Sequence, residues 1–249
     1  MMTALSVNLN KVALLRNQRD LPWPSVVGMA RVVLDAGANG VTVHPRPDER
    51  HIRRSDVYDL AALLRDEYPD KEFNIEGYPD DGFVELVLEN KPQQVTFVPD
   101  DPNQATSDHG WDIKGSHNIL AQPIRRMRDA GIRVSLFVDE DPNIPPDAAE
   151  IGADRIEIYT GPFGGSFGTP EGDHHLQRMQ VTARAAKAAG LVINAGHDLT
   201  LENLPAFMEN VPNVAEVSIG HGITADALLM GFAEAVRRYQ IALGNPVSE

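Results

Sequence analysis

Gly40-Val41-Thr42-Val43-His44-Pro45-Arg46-Pro47 is the stretch on which the reading of the fold turns. Its first five residues form a β-like run, and the prolines that follow can continue neither a ladder nor a helix. The run therefore stops on a histidine, a side chain able to do chemistry. Seven further runs are spaced along the chain, at residues 5–9, 73–76, 94–98, 133–138, 155–159, 191–194 and 216–219. Segments with helical periodicity separate them. Eight strand–helix units in 249 residues predict an α/β chain folded as one (β/α)8 TIM barrel over residues 1–249, with a few extra helices. Such a barrel works at the C-terminal ends of its strands. Those ends carry Asn8, His44, Glu76, Glu157, Asn194 with His197, and Gly220 with His221.

Between the runs, Pro24 marks a helix start and Gly37 its end. Ser55 is expected to cap a helix reaching Tyr68, and further helices are expected over 80–89, 117–130 and 146–151, up to about Ala189, and over 224–243. The longest irregular connection runs from Pro99 to about Gly115, and connections of that length are usually functional lids or disordered. A second flexible loop is expected at Gly161-Pro162-Phe163-Gly164-Gly165-Ser166-Phe167-Gly168. The runs are rich in Val, Ile and Leu, as parallel strands buried on both faces are.

The net charge of −14 argues against nucleic acid or an anionic membrane as partner, because both select basic patches. A phosphorylated ligand would need local arginines or helix N-termini to offset that field. With no cysteine, disulfides, thiolate nucleophiles and thiolate metal sites are excluded. The N-terminus lacks the basic and apolar regions of a signal peptide, and no apolar run approaches the roughly 20 residues that span a bilayer. The expectation is a soluble, cytoplasmic protein.

The loop His44-Pro45-Arg46-Pro47-Asp48-Glu49-Arg50-His51 offers two histidines and two arginines, enough to bind an anion and move a proton. The plain alternative is a solvated loop whose cations pair with Asp48 and Glu49. No metal site is expected, since neither a His-x-His pair on the first strand nor His-Glu-x-x-His is present. Glu157 lies between Ile156 and Ile158, so it faces the side they do not, and a carboxylate on an apolar strand is costly unless paired or functional. A structural ion pair with Arg155 or a neighbouring strand is the competing explanation. Asn194-Ala195-Gly196-His197-Asp198 and Ser218-Ile219-Gly220-His221-Gly222 form matched Gly-His turns after strands seven and eight, where many barrels hold phosphate. Arg16 and Arg19 follow the first strand and could reach a second anion, whereas His174-His175 reads as solvent-exposed.

In order along nearly the whole chain, several motifs resemble the pyridoxine 5′-phosphate synthase family. They are Val7-Asn8-Leu9-Asn10-Lys11, Gly40-Val41-Thr42-Val43-His44 with Arg50-His51-Ile52, Asn74-Ile75-Glu76, Ile156-Glu157-Ile158, Asn194-Ala195-Gly196-His197 and Ile219-Gly220-His221. The resemblance implies a cytoplasmic barrel, a homo-oligomer (an octamer), with neither metal nor redox cofactor. It implies condensation of 3-amino-2-oxopropyl phosphate with 1-deoxy-D-xylulose 5-phosphate into the pyridine ring of vitamin B6, releasing phosphate and water. His44 and Glu76 would accept protons, His197 would donate one, and Glu157 would stabilise charge. Asn8, Arg19, Gly220 and His221 would hold the aminoketone phosphate, and Arg46, His51 and Thr106 the deoxyxylulose phosphate, under a lid around Thr106.

Departures from the family pattern fall at Asn10 and Lys11, where Asp-His is usual, and at Asp198, where Gly is usual. These residues remain candidate substrate contacts, with Lys11 and Asp198 expected to meet and offset one another. Another TIM-barrel phosphosugar isomerase or aldolase with a His/Glu pair would share much of this. A Schiff-base aldolase, however, needs a strand-end lysine, and only Lys11, just past the first run, comes near. A non-catalytic phosphate binder would not need His44, Glu76 and His197 together.

Overall fold

The computed structural model describes residues 2–100 and 107–246. Eight parallel strands close on themselves in chain order: β1 (Ala4–Asn8), β2 (Gly40–Val43), β3 (Glu72–Gly77), β4 (Gln94–Phe97), β5 (Arg133–Val138), β6 (Arg155–Ile158), β7 (Val192–Ala195) and β8 (Val214–Ile219). Closure runs through β1 and β8, from Ala4↔Glu216 to Val7↔Ile219. The barrel expected from the eight runs is the observed one.

The helices around it are α1 (Asn10–Arg16), α2 (Val26–Asp35), α3 (Arg54–Glu67), α4 (Asp81–Asn90), α5 (His117–Asp129), α6 (Ile144–Ile151), α7 (Gly161–Ser166), α8 (Pro170–Ala188), α9 (Leu204–Asn210), α10 (His221–Met230) and α11 (Phe232–Ala242). Three differ from expectation. Ser55 lies inside α3, and Asp56 does the capping by accepting from Arg53 N at 2.7 Å. The stretch 161–166 is helical, with Ser166 Oγ donating to Pro162 O at 2.6 Å. Gly164 is required there because a Cβ would lie 2.6 Å from the carbonyl oxygen of Asp198. The single helix expected over 224–243 breaks at Gly231, whose φ of +82° suits glycine.

The strands are two-sided in an unusual sense. Leu5, Val7, Val41, Val43, Ile75, Val95, Leu136, Ile156, Ile193 and Val217 are fully buried and form one core with apolar faces of the helices. Each such aliphatic side chain contributes about 1.5–3 kcal/mol by leaving water. The lumen is polar instead. Gln94 on β4 donates to Glu216 on β8 at 3.4 Å and accepts from Asn194 on β7 at 3.3 Å. Strands that far apart in the barrel order meet only across its interior. Ser6, Thr42, Asn74 and Thr96 continue the network between neighbouring strands. Bulky aliphatic layers, the usual filling, are absent from these positions.

Arg155 belongs to this network. It donates to Asn194 at 2.9 Å and pairs with Glu216 at 3.4 Å, so its structural partner is Glu216 and not Glu157. Burial, then the charge of Glu72, pushes the Glu216 carboxyl up to about 8. Among the described residues, no helix is long and apolar enough to cross a membrane.

Candidate active site

At the C-terminal end of the barrel, β1, β2, β3, β6 and the turn after β7 bring Asn8, His44, Glu76, Glu157 and His197 together. Asn8 Nδ2 donates to Glu76 Oε2 at 3.3 Å, and Asn8 Oδ1 accepts from Asn10 N at 3.0 Å. Asn10 Oδ1 in turn accepts from His44 N at 2.9 Å. The first-strand motif therefore positions the second-strand histidine. Asn10 acts here through the backbone of His44, a role the sequence did not suggest.

Burial sets the protonation of the site. The His44 imidazole is held well below its usual range, first by burial and then by the positive charge of Arg46, with smaller contributions from His51 and His197. It is neutral at physiological pH. Glu76 is pushed up to about 8 by burial and by the charge of Asp100, against the opposing pull of Asn8 and Arg46. Glu157 is raised well above the usual carboxylate range by burial and the charges of Glu76 and Glu216. Its Oε2 is buried without a hydrogen-bond partner among the described residues. Buried carboxyls that influence one another favour their protonated forms, while burial favours the neutral form of His44.

His197 packs between Phe137 and Tyr159, with ring centroids 5.4 and 5.6 Å away, while Thr160 Oγ1 bonds its carbonyl oxygen. Burial lowers its pKa, Asp198 opposes that, and Lys11 and Arg46 add to it. Gly196 leaves room for the acid behind it, since a Cβ there would lie 2.8 Å from Glu157 Oε1. Asp198 takes φ +59°, the left-handed conformation for which glycine is the cheapest residue. Lys11 and Asp198 form no ion pair, and their charges instead act on His197 with opposite sign.

The loop after β2 is fastened from below. Arg16 is buried, pairs with Asp56 at 2.5 Å and donates to His51 O at 3.1 Å. Asn17 donates to His51 O at 2.8 Å and to Glu49 O at 3.1 Å. Arg16 is therefore a structural clamp and not the anion contact expected from its place in sequence. Arg19 is exposed in the turn beyond α1. His51 lies 6.1 Å from His44, ring to ring, and its Nδ1 accepts from Ile52 N at 2.9 Å. Burial and the charges of Arg46 and Arg50 depress it to about 4.

A cavity of about 670 Å³ opens beside these groups, walled by His44, Arg46, Tyr78, Phe83, Leu86 and Asp100 among others. Glu76, Glu157 and His197 are not in its wall, so it adjoins this cluster without coinciding with it. Asp100 and the apolar side chains of α4 were not foreseen. Thr106 lies outside the described residues. Just after β8, Gly220 precedes α10, and a Cβ would lie 3.2 Å from Asn8 Cβ, so glycine permits that approach. His221 opens α10 and is exposed. The His174-His175 pair divides: His174 is exposed, whereas His175 bonds Glu140 at 2.5 Å.

A family model described as "Pyridoxal phosphate biosynthesis protein PdxJ" matches residues 5–245. The chain belongs to this family. The pyridoxine 5′-phosphate synthase of Rhizobium meliloti is 57% identical over 244 residues, covering 97% of this chain and 98% of that one. The protein of that name from Brucella abortus strain S19 is 57% identical over 242 residues, with coverage of 97% and 98%. Solved barrels are far more distant. Phosphoribosyl anthranilate isomerase from Thermotoga maritima is 13% identical at a TM-score of 0.63, covering 98% of this chain and 100% of that one. The YdjI aldolase from Escherichia coli K12 is 9% identical at 0.64, covering 98% and 89%. Likeness at that level speaks for the barrel alone. None of the eight strands contains a lysine, so Lys11, just past β1, is the one described residue near the strand ends that a Schiff-base aldolase could use.

Proposed function

We propose that the C-terminal end of this barrel condenses 3-amino-2-oxopropyl phosphate with 1-deoxy-D-xylulose 5-phosphate to pyridoxine 5′-phosphate, releasing phosphate and water. The observation that carries the reading is the convergence of His44, Glu76, Glu157 and His197 at the strand ends, where Asn8 Nδ2 donates to Glu76 Oε2 at 3.3 Å and Asn10 Oδ1 accepts from His44 N at 2.9 Å, with burial lowering the histidines and raising the carboxyls. Ring assembly needs imine formation, enolisation, elimination and dehydration, and each of these moves a proton. A neutral imidazole accepts a proton without first having to lose one. A carboxyl poised near 8 can give its proton and take it back within the working pH range. On this reading His44 and Glu76 are the acceptors and His197 the donor, while Glu157 stabilises charge from behind Gly196.

The two phosphates need two anion sites. Asn8, Arg19, Gly220 and His221 serve the aminoketone phosphate, with the N-terminus of α10 adding its dipole. Arg46, His51 and Thr106 serve the sugar phosphate, and Asn10, Lys11 and Asp198 tune the two histidines. The same reading makes the chain a cytoplasmic homo-oligomer, octameric by family resemblance. Exposed Trp23, Leu228 and Leu229 suit a buried subunit contact. Incubating the protein with both substrates and separating the products chromatographically tests the assignment. Pyridoxine 5′-phosphate should form, and His197→Ala should abolish it. Its absence with wild-type protein would overturn the reading.

A further inference from the structure

Arg46 and Asp100 form an ion pair whose side chains are each only 4% exposed, at the mouth of the barrel. Asp100 stands two residues beyond Val98, just after β4, and its Oδ2 also accepts from Ser107 Oγ at 2.8 Å. Its Oδ1 is buried and has no hydrogen-bond partner among the described residues. Both residues line the 670 Å³ cavity. A buried charge without a counter-charge is strongly destabilising, and Asp100 is a counter-charge to Arg46. The same carboxylate would compete with a phosphate for the donors of Arg46.

We propose that Asp100 is a resident counter-anion for Arg46, displaced when the phosphate of the sugar substrate arrives. The inference rests on the reading of Arg46 as a phosphate contact. The half-satisfied carboxylate fits this role better than that of a permanent strut. Among the described residues one oxygen lacks a donor, and the other is held by one arginine and one hydroxyl. Burial also pushes the Asp100 carboxyl upward, so it is a less avid anion than a dianionic phosphate. Once phosphate leaves, Asp100 returns to Arg46, and its return opposes rebinding. Asp100 thus acts through Arg46 as a positioning residue, weakening the hold on phosphate while giving the buried guanidinium a counter-charge.

Calorimetric titration with 1-deoxy-D-xylulose 5-phosphate alone, in which no turnover occurs, tests this, with unphosphorylated 1-deoxy-D-xylulose as the control. Asp100→Asn keeps an acceptor for Arg46 and Ser107 but removes the competing charge. It should tighten the phosphorylated ligand by about tenfold or more, as loss of a nearby like charge in a low-dielectric site requires, and leave the control within about twofold. Arg46→Gln should weaken the phosphorylated ligand alone. If Arg46→Gln changes nothing, the phosphate-site reading fails and takes the inference with it. If Arg46→Gln weakens binding while Asp100→Asn fails to tighten it, the inference alone is overturned. Ligand-induced melting shifts of Asp100→Asn and Asp100→Ser supply a second readout, expected to exceed the wild-type shift. A smaller shift in both would also overturn it.

Discussion

Replacing Glu76 by Gln should make the protein more stable and inactive, with a gain that depends on pH in a defined way. In the folded protein the Glu76 carboxyl is pushed up to about 8, whereas in the unfolded chain it titrates near the ordinary 4.5. Below 4.5 both states hold the proton, and the residue carries no penalty. As pH rises the unfolded chain gives the proton up first, so folding has to keep a proton that the unfolded state has lost. The stability present at low pH is therefore lost progressively, at about 1.4 kcal/mol per pH unit, until the folded carboxyl ionises near 8. The full loss amounts to ~5 kcal/mol as an upper figure, and relaxation around the ionised group reduces it to roughly 2–5 kcal/mol. Glutamine keeps an oxygen for Asn8 Nδ2 and does not titrate. Denaturant unfolding at fixed subunit concentration should show wild type and Glu76→Gln equal near pH 4, then diverging in favour of the variant up to about pH 8. A variant less stable at pH 8, or a difference that does not change with pH, would refute the reasoning.

Four further outcomes follow from the geometry. Arg16→Met leaves Asp56 buried and unpaired, which should cost about 3–5 kcal/mol in chemical denaturation and raise KM for the sugar phosphate by freeing the His51 backbone; Arg16→Met with Asp56→Asn should recover part of the stability. Gly196→Ala places a methyl 2.8 Å from Glu157 Oε1, so steady-state kinetics should show kcat lower by about a hundredfold, as misplacement of a reacting group by an ångström does. Asp198→Gly relieves a left-handed backbone and should gain about 1 kcal/mol. Because Lys11 forms no ion pair with Asp198, the effects of Asp198→Gly and Lys11→His on thermal stability should add within about 0.5 kcal/mol.

The strands were legible because polar and apolar residues alternate sharply at their ends, as in Arg155-Ile156-Glu157-Ile158 and Asn74-Ile75-Glu76. The inward direction of Glu157 was readable for the same reason. Its freedom from Arg155 was not, because Arg155 is engaged across the lumen by Glu216, 61 positions away in sequence. Barrel closure creates that proximity, and no local pattern encodes it. The alternation Glu216-Val217-Ser218-Ile219 did carry the signal of a polar interior, but it passed for a buried aliphatic strand. Glycines misled at residues 161–166, where they serve close approach to Asp198 and not flexibility. Arg16 misled through position alone, since a short helix after β1 turns it away from the strand ends and toward Asp56. Asp100 could not be seen as part of the site until β2 and β4 were placed around the same cavity.

The central claim is that His44 and Glu76, at neighbouring strand ends, drive a condensation that discharges one of two incoming phosphates. Phosphorus NMR of the protein mixed with both substrates tests it most directly. Wild type should convert the two substrate ester resonances into one product ester and inorganic phosphate in equal amounts. His44→Ala and Glu76→Gln, both folded, should leave the substrate resonances in place. Unchanged resonances with wild type, or phosphate release that persists in both variants, would contradict the account.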